Sequence, residues 1–220
     1  MKKTNLIRIT IIFLIISVIY TVLVKIIDVR AIGPYASKVG FSTLNESVKN
    51  TLGYNKAWYL ITKYLGVLPF LLVGFFALIG AKQLYDRRNL LQVDKRILLL
   101  GCFYILLGIV YIFFEKVIIN YRPFLTEGVL EASYPSSHTM LAVCICLTSI
   151  YVAKFYIKNK RFLKLFDLAV FILMILLVVG RTLSGVHWIS DIIGGIIISI
   201  TLVFAYITSL KYFSNDKRRI

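Results

Sequence analysis

Acidic residues are scarce in this chain: ten Asp and Glu stand against 26 Lys and Arg in 220 residues. Histidine occurs only twice and cysteine three times. So few carboxylates leave no acidic cluster of the kind that holds Mg²⁺, and neither a zinc motif nor a Walker phosphate loop is present. The expectation is chemistry with no metal and no cofactor. Cys102, Cys144 and Cys146 lie in apolar stretches without a C-x-x-C pair, so they read as small packing residues. Internal repeats, low-complexity tracts and a second domain are absent as well, so residues 1–220 read as one domain.

Charged residues are also few, 16% of the chain, while 59% is hydrophobic and the mean hydropathy is +0.84. A soluble fold of this size would have to expose much of that apolar surface, so the class is a polytopic membrane protein, all-α, in contact with the lipid bilayer. The net charge of +16 then reads as topology. No basic patch sits on a soluble domain, which argues against a nucleic-acid partner. Nothing in the sequence points to a particular protein partner.

Six uncharged runs are candidate transmembrane helices: Ile9–Val24, Tyr64–Ala81, Ile97–Phe114, Thr139–Ala153, Leu168–Gly180 and Ile192–Leu210. A crossing takes about 20 residues, so several must borrow flanking positions. The N-terminal run is long for the apolar part of a cleaved signal peptide, and Lys25 can extend it by snorkelling. Lysine and arginine then set the orientation. Lys2, Lys3 and Arg8 precede the first span; Lys82, Arg87, Arg88, Lys95 and Arg96 link the second to the third. Lys154, Lys158, Lys160, Arg161 and Lys164 link the fourth to the fifth, and Lys211, Lys217, Arg218 and Arg219 close the chain. Most of the basic residues thus share one side, which makes both termini cytoplasmic in a multi-pass protein of the cell membrane.

The longest external connection runs from about Asp28 to Lys56. Thr43 and Glu46 have the spacing of a capping box, Leu44, Val48 and Leu52 recur every four residues, and Gly53 stands where a helix would stop. A short interfacial helix on the outer surface is expected there. Trp58, Tyr59 and Trp188 suit the aromatic belt at the membrane boundary.

The chemistry gathers in three polar clusters on the external side, within a motif-bearing core of residues 97–212 that comes after the N-terminal spans and connection of 1–96. The first holds Lys116 and Arg122-Pro123, the second Pro135-Ser136-Ser137-His138, and the third Arg181, His187 and Asp191. Ionisable side chains beside hydrocarbon are costly and tend to mark function. His187 and Asp191, four apart at a helix start, can meet on one face. A carboxylate on one ring nitrogen would then leave the other as a nucleophile. Arg181 offers a planar fork for phosphate oxygens. Ser136 or Ser137 can cap the fourth span, where free amides and the helix dipole make an anion site beside His138, placed as a general acid. Together the clusters fit phosphoryl transfer through histidine, with cations and amides holding the oxygens.

These residues resemble the type 2 phosphatidic acid phosphatase family, whose signature is K-x6-RP, then PSGH, then SR-x5-H-x3-D on a six-helix membrane protein. The resemblance covers Lys116 to Asp191 and implies a phosphatase acting on a membrane lipid phosphate. It implies His187 as the nucleophile that forms a phosphohistidine, Asp191 as its orienting group and His138 as the proton donor to the leaving group. It further implies that Arg122, Arg181, Lys116, Ser136 and the amide of Ser137 hold the phosphoryl group. Phosphatidate, phosphatidylglycerophosphate and undecaprenyl diphosphate are the candidate substrates. The family is similar in fold to vanadium-dependent haloperoxidases, which implies inhibition by vanadate.

Three departures stand out. Five residues, not six, separate Lys116 from Arg122, and Glu115 occupies the family spacing. Deleting one residue from a helix rotates every later side chain about the axis by about 100°. Ser137 replaces the glycine of PSGH, and Gly180 replaces the serine before Arg181. Two other readings share the same residues. In one, a phosphotransferase passes the phosphoryl group to an alcohol; in the other, a non-catalytic protein binds or transports anionic lipids.

Overall fold

The structure is a computed structural model and describes residues 3–125 and 128–213. Four of the basic residues used for orientation (Lys2, Lys217, Arg218 and Arg219) lie outside the described residues. The chain is all-helical. In order the helices are α1 (Lys3–Ile26), α2 (Ser42–Leu52), α3 (Lys56–Leu65), α4 (Leu68–Arg87), α5 (Lys95–Lys116), α6 (Ser137–Ala153), α7 (Lys160–Ser184) and α8 (Ile189–Phe213). Among the described residues, five helical segments are long and apolar enough to cross a membrane: α1, α3–α4 taken together, α5, α7 and α8. The fourth expected span, α6, is apolar but shorter, with 17 residues.

Helix α6 is the centre of the bundle. Eleven of its residues are buried, among them Met140, Cys144 and Cys146, and it packs on α4, α5, α7 and α8. The outer helices reverse the usual soluble arrangement. They turn Ile, Leu, Phe and Val outward, as at Ile12, Leu78, Ile105 and Leu165, where hydrocarbon can receive them. Hydroxyl groups pair inside instead. Between α1 and α8, Ser17 Oγ meets Thr201 Oγ1 at 2.7 Å and Thr10 Oγ1 meets Thr208 Oγ1 at 2.9 Å. In lipid such bonds join helices, since packing of apolar side chains alone gives little preference over lipid tails.

Polar caps set several helix starts. Asn55 accepts from Trp58 N at α3, Asp94 from Arg96 N at α5, and Asn159 from Arg161 N and Phe162 N at α7. The run expected as one span from Tyr64 is interrupted at Gly66-Val67, where α3 ends and α4 begins with Pro69 in its first turn. Proline is tolerated there because its missing N–H would be unpaired at a helix start anyway.

The connection before α3 contains the expected short helix, and Gly53 does end it with a positive φ of 63°. The capping box does not form. Phe41 holds the N-cap position in a left-handed conformation, and the Asp28 carboxylate does the capping, accepting from Thr43 N at 2.6 Å and Ser42 Oγ at 2.9 Å. Those bonds, with Arg30 beside it, hold the Asp28 carboxyl below its ordinary range. Glu46 pairs instead with Arg30, at 3.5 Å. The helix also docks by its polar side: Asn45 is buried, while Leu44 and Leu52 of the apolar stripe are exposed. Asn45 Oδ1 accepts from Ser190 N at 3.1 Å and its Nδ2 donates to Ser190 Oγ at 2.9 Å, which ties α2 to the start of α8.

Candidate active site

The site forms where α6 and α8 begin and α7 ends. Trp188 precedes α8, and Asp191, in the first turn, reaches back to accept from Trp188 N at 3.1 Å. This is the return half of a capping box, and it places a carboxylate at the positive end of the helix dipole. Asp191 is fully buried. Its Oδ1 accepts from Asn120 Nδ2 at 3.1 Å and its Oδ2 from Ser133 Oγ at 2.6 Å. Its backbone carbonyl accepts from Ser136 N at 3.0 Å, so the starts of α6 and α8 are tied together.

His187 sits before α8, not in its first turn, so the four-residue spacing does not put it on a helical face with Asp191. Ser133 comes between them. The ring Nδ1 of His187 lies 3.1 Å from the Ser133 carbonyl oxygen and 3.0 Å from its hydroxyl. A carbonyl can only accept, which makes Nδ1 the protonated nitrogen. The Ser133 hydroxyl then accepts from Nδ1–H and gives its own proton to Asp191. The other nitrogen, Nε2, is buried and has no partner among the described residues. Burial first, and then the charges of Arg122, Arg181 and His138, push the His187 imidazole well below its ordinary range, so the ring is neutral.

Arg181 lies within the last turn of α7, which continues past Gly180 to Ser184. It is only 2% exposed, with Nε and Nη1 unpaired among the described residues, and its guanidinium stands 5.6 Å from the centre of the Tyr59 ring. Gly180 opens the space for α3: a Cβ there would come 2.5 Å from Thr62 Cγ2 and 3.1 Å from Trp58 Cε3. The missing serine is therefore replaced by the packing of α3 on α7. Arg122 is partly engaged, with Nη1 3.2 Å from Glu131 Oε2.

Ser136 holds the N-cap position of α6 but makes no capping bond through its side chain, and its hydroxyl is buried and unpaired among the described residues. Ser137 opens the helix without a positive φ, so the glycine of the family pattern is not needed here. His138 comes next in the first turn, its Nδ1 buried and unpaired among the described residues. Gly66 lies against it, at a distance that would put a Cβ 3.2 Å from the His138 ring.

Lys116 stands apart. It is the last residue of α5 and exposed, whereas Glu115 lines the small hollow shared by Ser133, Ser137 and His187. The one-residue shortening has its geometric consequence: the acidic neighbour faces the hollow and the lysine does not. Trp188 also departs from expectation, being 2% exposed, with its ring N–H donating to Tyr121 O at 2.7 Å. It is a wedge beneath the site, not a belt residue. Ser133, Asn120 and Asn45 gave no signal in the sequence, since a lone Ser or Asn in a connection is unremarkable until its partner is known.

Against known proteins, residues 97–214 match the family model described as the PAP2 superfamily, more than half of the chain. The chain belongs to the PAP2 superfamily. It is a multi-pass membrane protein and a phosphoric-ester hydrolase of that family. It is 29% identical over 147 residues to phosphatidylglycerophosphatase B of Bacillus subtilis (strain 168), covering 64% of this chain and 68% of the relative. A crystal structure described as the first transmembrane PAP2 type phosphatidylglycerolphosphate phosphatase from Bacillus subtilis superposes with a TM-score of 0.61. That match has 19% identity and covers 94% of this chain and 98% of the other.

Proposed function

We propose that this protein is a lipid phosphatase that hydrolyses a phosphomonoester or diphosphate of a membrane lipid at the extracytoplasmic face, through a phosphohistidine on His187 and without a metal. One observation carries the reading. Among the described residues, His187 Nε2, Arg181 Nε and Nη1 and the Ser136 hydroxyl are all buried without a partner. That combination suits a tetrahedral oxyanion facing a nucleophile.

In the first step the Nε2 lone pair attacks phosphorus, the bond from phosphorus to the leaving oxygen breaks, and His138 gives that oxygen its proton. The positive charge that develops on the ring is met by Asp191 through Ser133. Arg122, Arg181, Ser136 and the Ser137 amide hold the non-bridging oxygens. In the second step water attacks phosphorus, the P–N bond breaks, and His138 takes the proton from the water. Phosphate departs and His187 is neutral again.

The domain is a single unit with six crossings, α6 being the short central one. At about 1.5 Å per residue its 17 residues reach about 25 Å, and its flanks supply the rest. The basic connections Lys82–Arg96 and Lys154–Lys164 lie at the opposite end of the helices from His187, which supports a cytoplasmic placement for them and an external one for the site. Helix α2, with its apolar stripe outward, is the interfacial element. Phosphatidylglycerophosphate is the leading substrate, since both relatives from Bacillus subtilis are named for it.

The test is phosphate release by detergent-purified protein, with EDTA present, from phosphatidylglycerophosphate, phosphatidate and undecaprenyl diphosphate, with His187→Ala as control. Release that the substitution abolishes supports the mechanism; undiminished release by His187→Ala sinks it.

A further inference from the structure

A cavity of about 590 Å³ opens beside His138, between the α3–α4 junction, α5 and α6. Its walls are mostly apolar, with Phe70, Leu107 and Ile145 among them. The polar side chains that line it are those of Lys63, Tyr104, Tyr111, Ser137 and His138. Lys63 is the only lysine or arginine lining it, and makes no hydrogen bond or ion pair among the described residues.

We propose that Lys63 recognises a second phosphate in the substrate, the one that stays with the lipid after the P–O bond breaks. The inference rests on the phosphatase reading above. The leaving oxygen must lie beside His138, which protonates it, so the rest of the leaving group continues from His138 into this cavity. Gly66 touches His138, and Lys63 precedes it by three residues, one helical turn away on the same face of α3. Arg122 and Arg181 stand around His187 and serve the phosphoryl group being transferred. Lys116, which the family pattern would add to them, is turned away. An anion that travels with the leaving group therefore finds Lys63 as the cation of this cavity, whose apolar walls suit acyl or prenyl chains. Phosphatidylglycerophosphate carries such an anion as a phosphodiester beyond its glycerol, and a prenyl diphosphate carries it as the adjoining phosphate. Phosphatidate has only ester carbonyls in that position.

The experiment measures kcat and KM of the full-length protein in detergent for phosphatidylglycerophosphate, undecaprenyl diphosphate and phosphatidate. It compares wild type with Lys63→Gln, Lys63→Glu and Lys63→Arg. Loss of one charge-assisted contact should lower kcat/KM of Lys63→Gln for a two-phosphate lipid about tenfold relative to phosphatidate, through KM. Lys63→Glu should deepen the loss, and Lys63→Arg should restore most of the selectivity. The pattern across the two diphosphorylated lipids tells which spacing of phosphates the lysine fits. Equal losses on all three lipids, or no loss on any, overturn the inference while leaving the phosphatase reading intact. Release from none of the lipids by the wild type sinks the phosphatase reading and the inference with it.

Discussion

The Ser133 hydroxyl donates to the Asp191 carboxylate over 2.6 Å, and the same oxygen lies 3.0 Å from Nδ1 of His187. The serine thereby transmits the field of a buried carboxylate to the imidazole without letting the two groups touch. A proton held on Nδ1 leaves Nε2 as the nucleophile, and the carboxylate stabilises the ring as it becomes cationic. Ser133→Ala removes the hydroxyl but keeps the carbonyl that fixes the tautomer. A hydrogen bond to a charged group contributes about 1.5–3 kcal/mol, so kcat should fall about tenfold to a hundredfold with KM little changed. Ser133→Thr, which keeps the hydroxyl, should recover part of the rate. Steady-state kinetics on the preferred lipid checks both, and a loss confined to KM would count against the role.

Asp191 gathers its three shortest donor contacts from separate places: Ser133 Oγ, Asn120 Nδ2 and the Trp188 amide. Asp191→Ala leaves all three buried without an acceptor, and each orphaned donor costs about 1–3 kcal/mol. The variant should unfold several degrees lower in detergent as well as lose activity. Asn120→Ala removes only one donor and should show a milder form of both effects. Thermal unfolding followed by intrinsic fluorescence, measured beside kcat, separates the structural part from the catalytic part.

These two residues also show what was legible in the sequence. His187, Asp191, His138 and Arg181 could be singled out because ionisable side chains are rare beside apolar runs and their order matches a family pattern. The bundle was legible for the same reason, since crossing helices announce themselves by composition. Ser133, Asn120 and Asn45 are polar residues in connections, where polar residues are ordinary, and only tertiary structure shows which atoms they meet. The capping box on Thr43 failed for a related reason: the spacing was local, but Asp28 reached the same amide from fifteen residues away. The break at Gly66-Val67 and the burial of Trp188 depend on how α3 and α8 pack, which hydropathy does not encode.

His187 gives a pH signature. Its ring is held below the ordinary histidine value of 6.5 by burial and by neighbouring positive charge, so it stays neutral where a free histidine would protonate. Above pH 6.5 the ring is neutral in folded and unfolded chains alike, and it makes no difference to stability. Below 6.5 the unfolded chain takes up a proton that the folded one resists, so stability falls as the pH drops towards the folded value. The acid limb of kcat/KM, which reports the free enzyme, should accordingly lie below pH 6.5. His187→Asn should flatten part of the fall in unfolding temperature on the acid side. An acid limb at or above 6.5 would contradict a neutral nucleophile.

The cations of the site should not respond alike. Arg181 is buried with two nitrogens unpaired among the described residues, so Arg181→Ala should lower kcat about a hundredfold, the usual scale for a lost oxyanion donor. Lys116 is exposed at the end of α5, and Lys116→Ala should stay within about threefold of wild type, since an exposed lysine contributes little in screened surroundings. Glu115, in the hollow beside His187, should respond in the opposite sense: Glu115→Gln removes a like charge from the path of a phosphate and should lower KM. Kinetics on the three variants side by side decides this; a Lys116→Ala loss equal to that of Arg181→Ala would restore the lysine to the phosphate.

Gly180 stands where the family has serine, and restoring the family residue ought to help if the glycine were merely a lost contact. The geometry says otherwise, because a Cβ at this position would lie 2.5 Å from Thr62 Cγ2 and 3.1 Å from the Trp58 ring. Thr62 is buried and its hydroxyl donates to Trp58 O at 2.8 Å, so neither side chain can swing away without breaking the packing of α3 on α7. That packing also seats Tyr59 against Arg181 and Gly66 against His138. Gly180→Ser should therefore lower both the unfolding temperature and kcat, overpacking of this kind costing about 1–3 kcal/mol. The double variant Gly180→Ser with Thr62→Ala frees the nearest contact and should recover part of both. If Gly180→Ser alone were more active than wild type, the tight seat of α3 would not be what this chain uses in place of the serine.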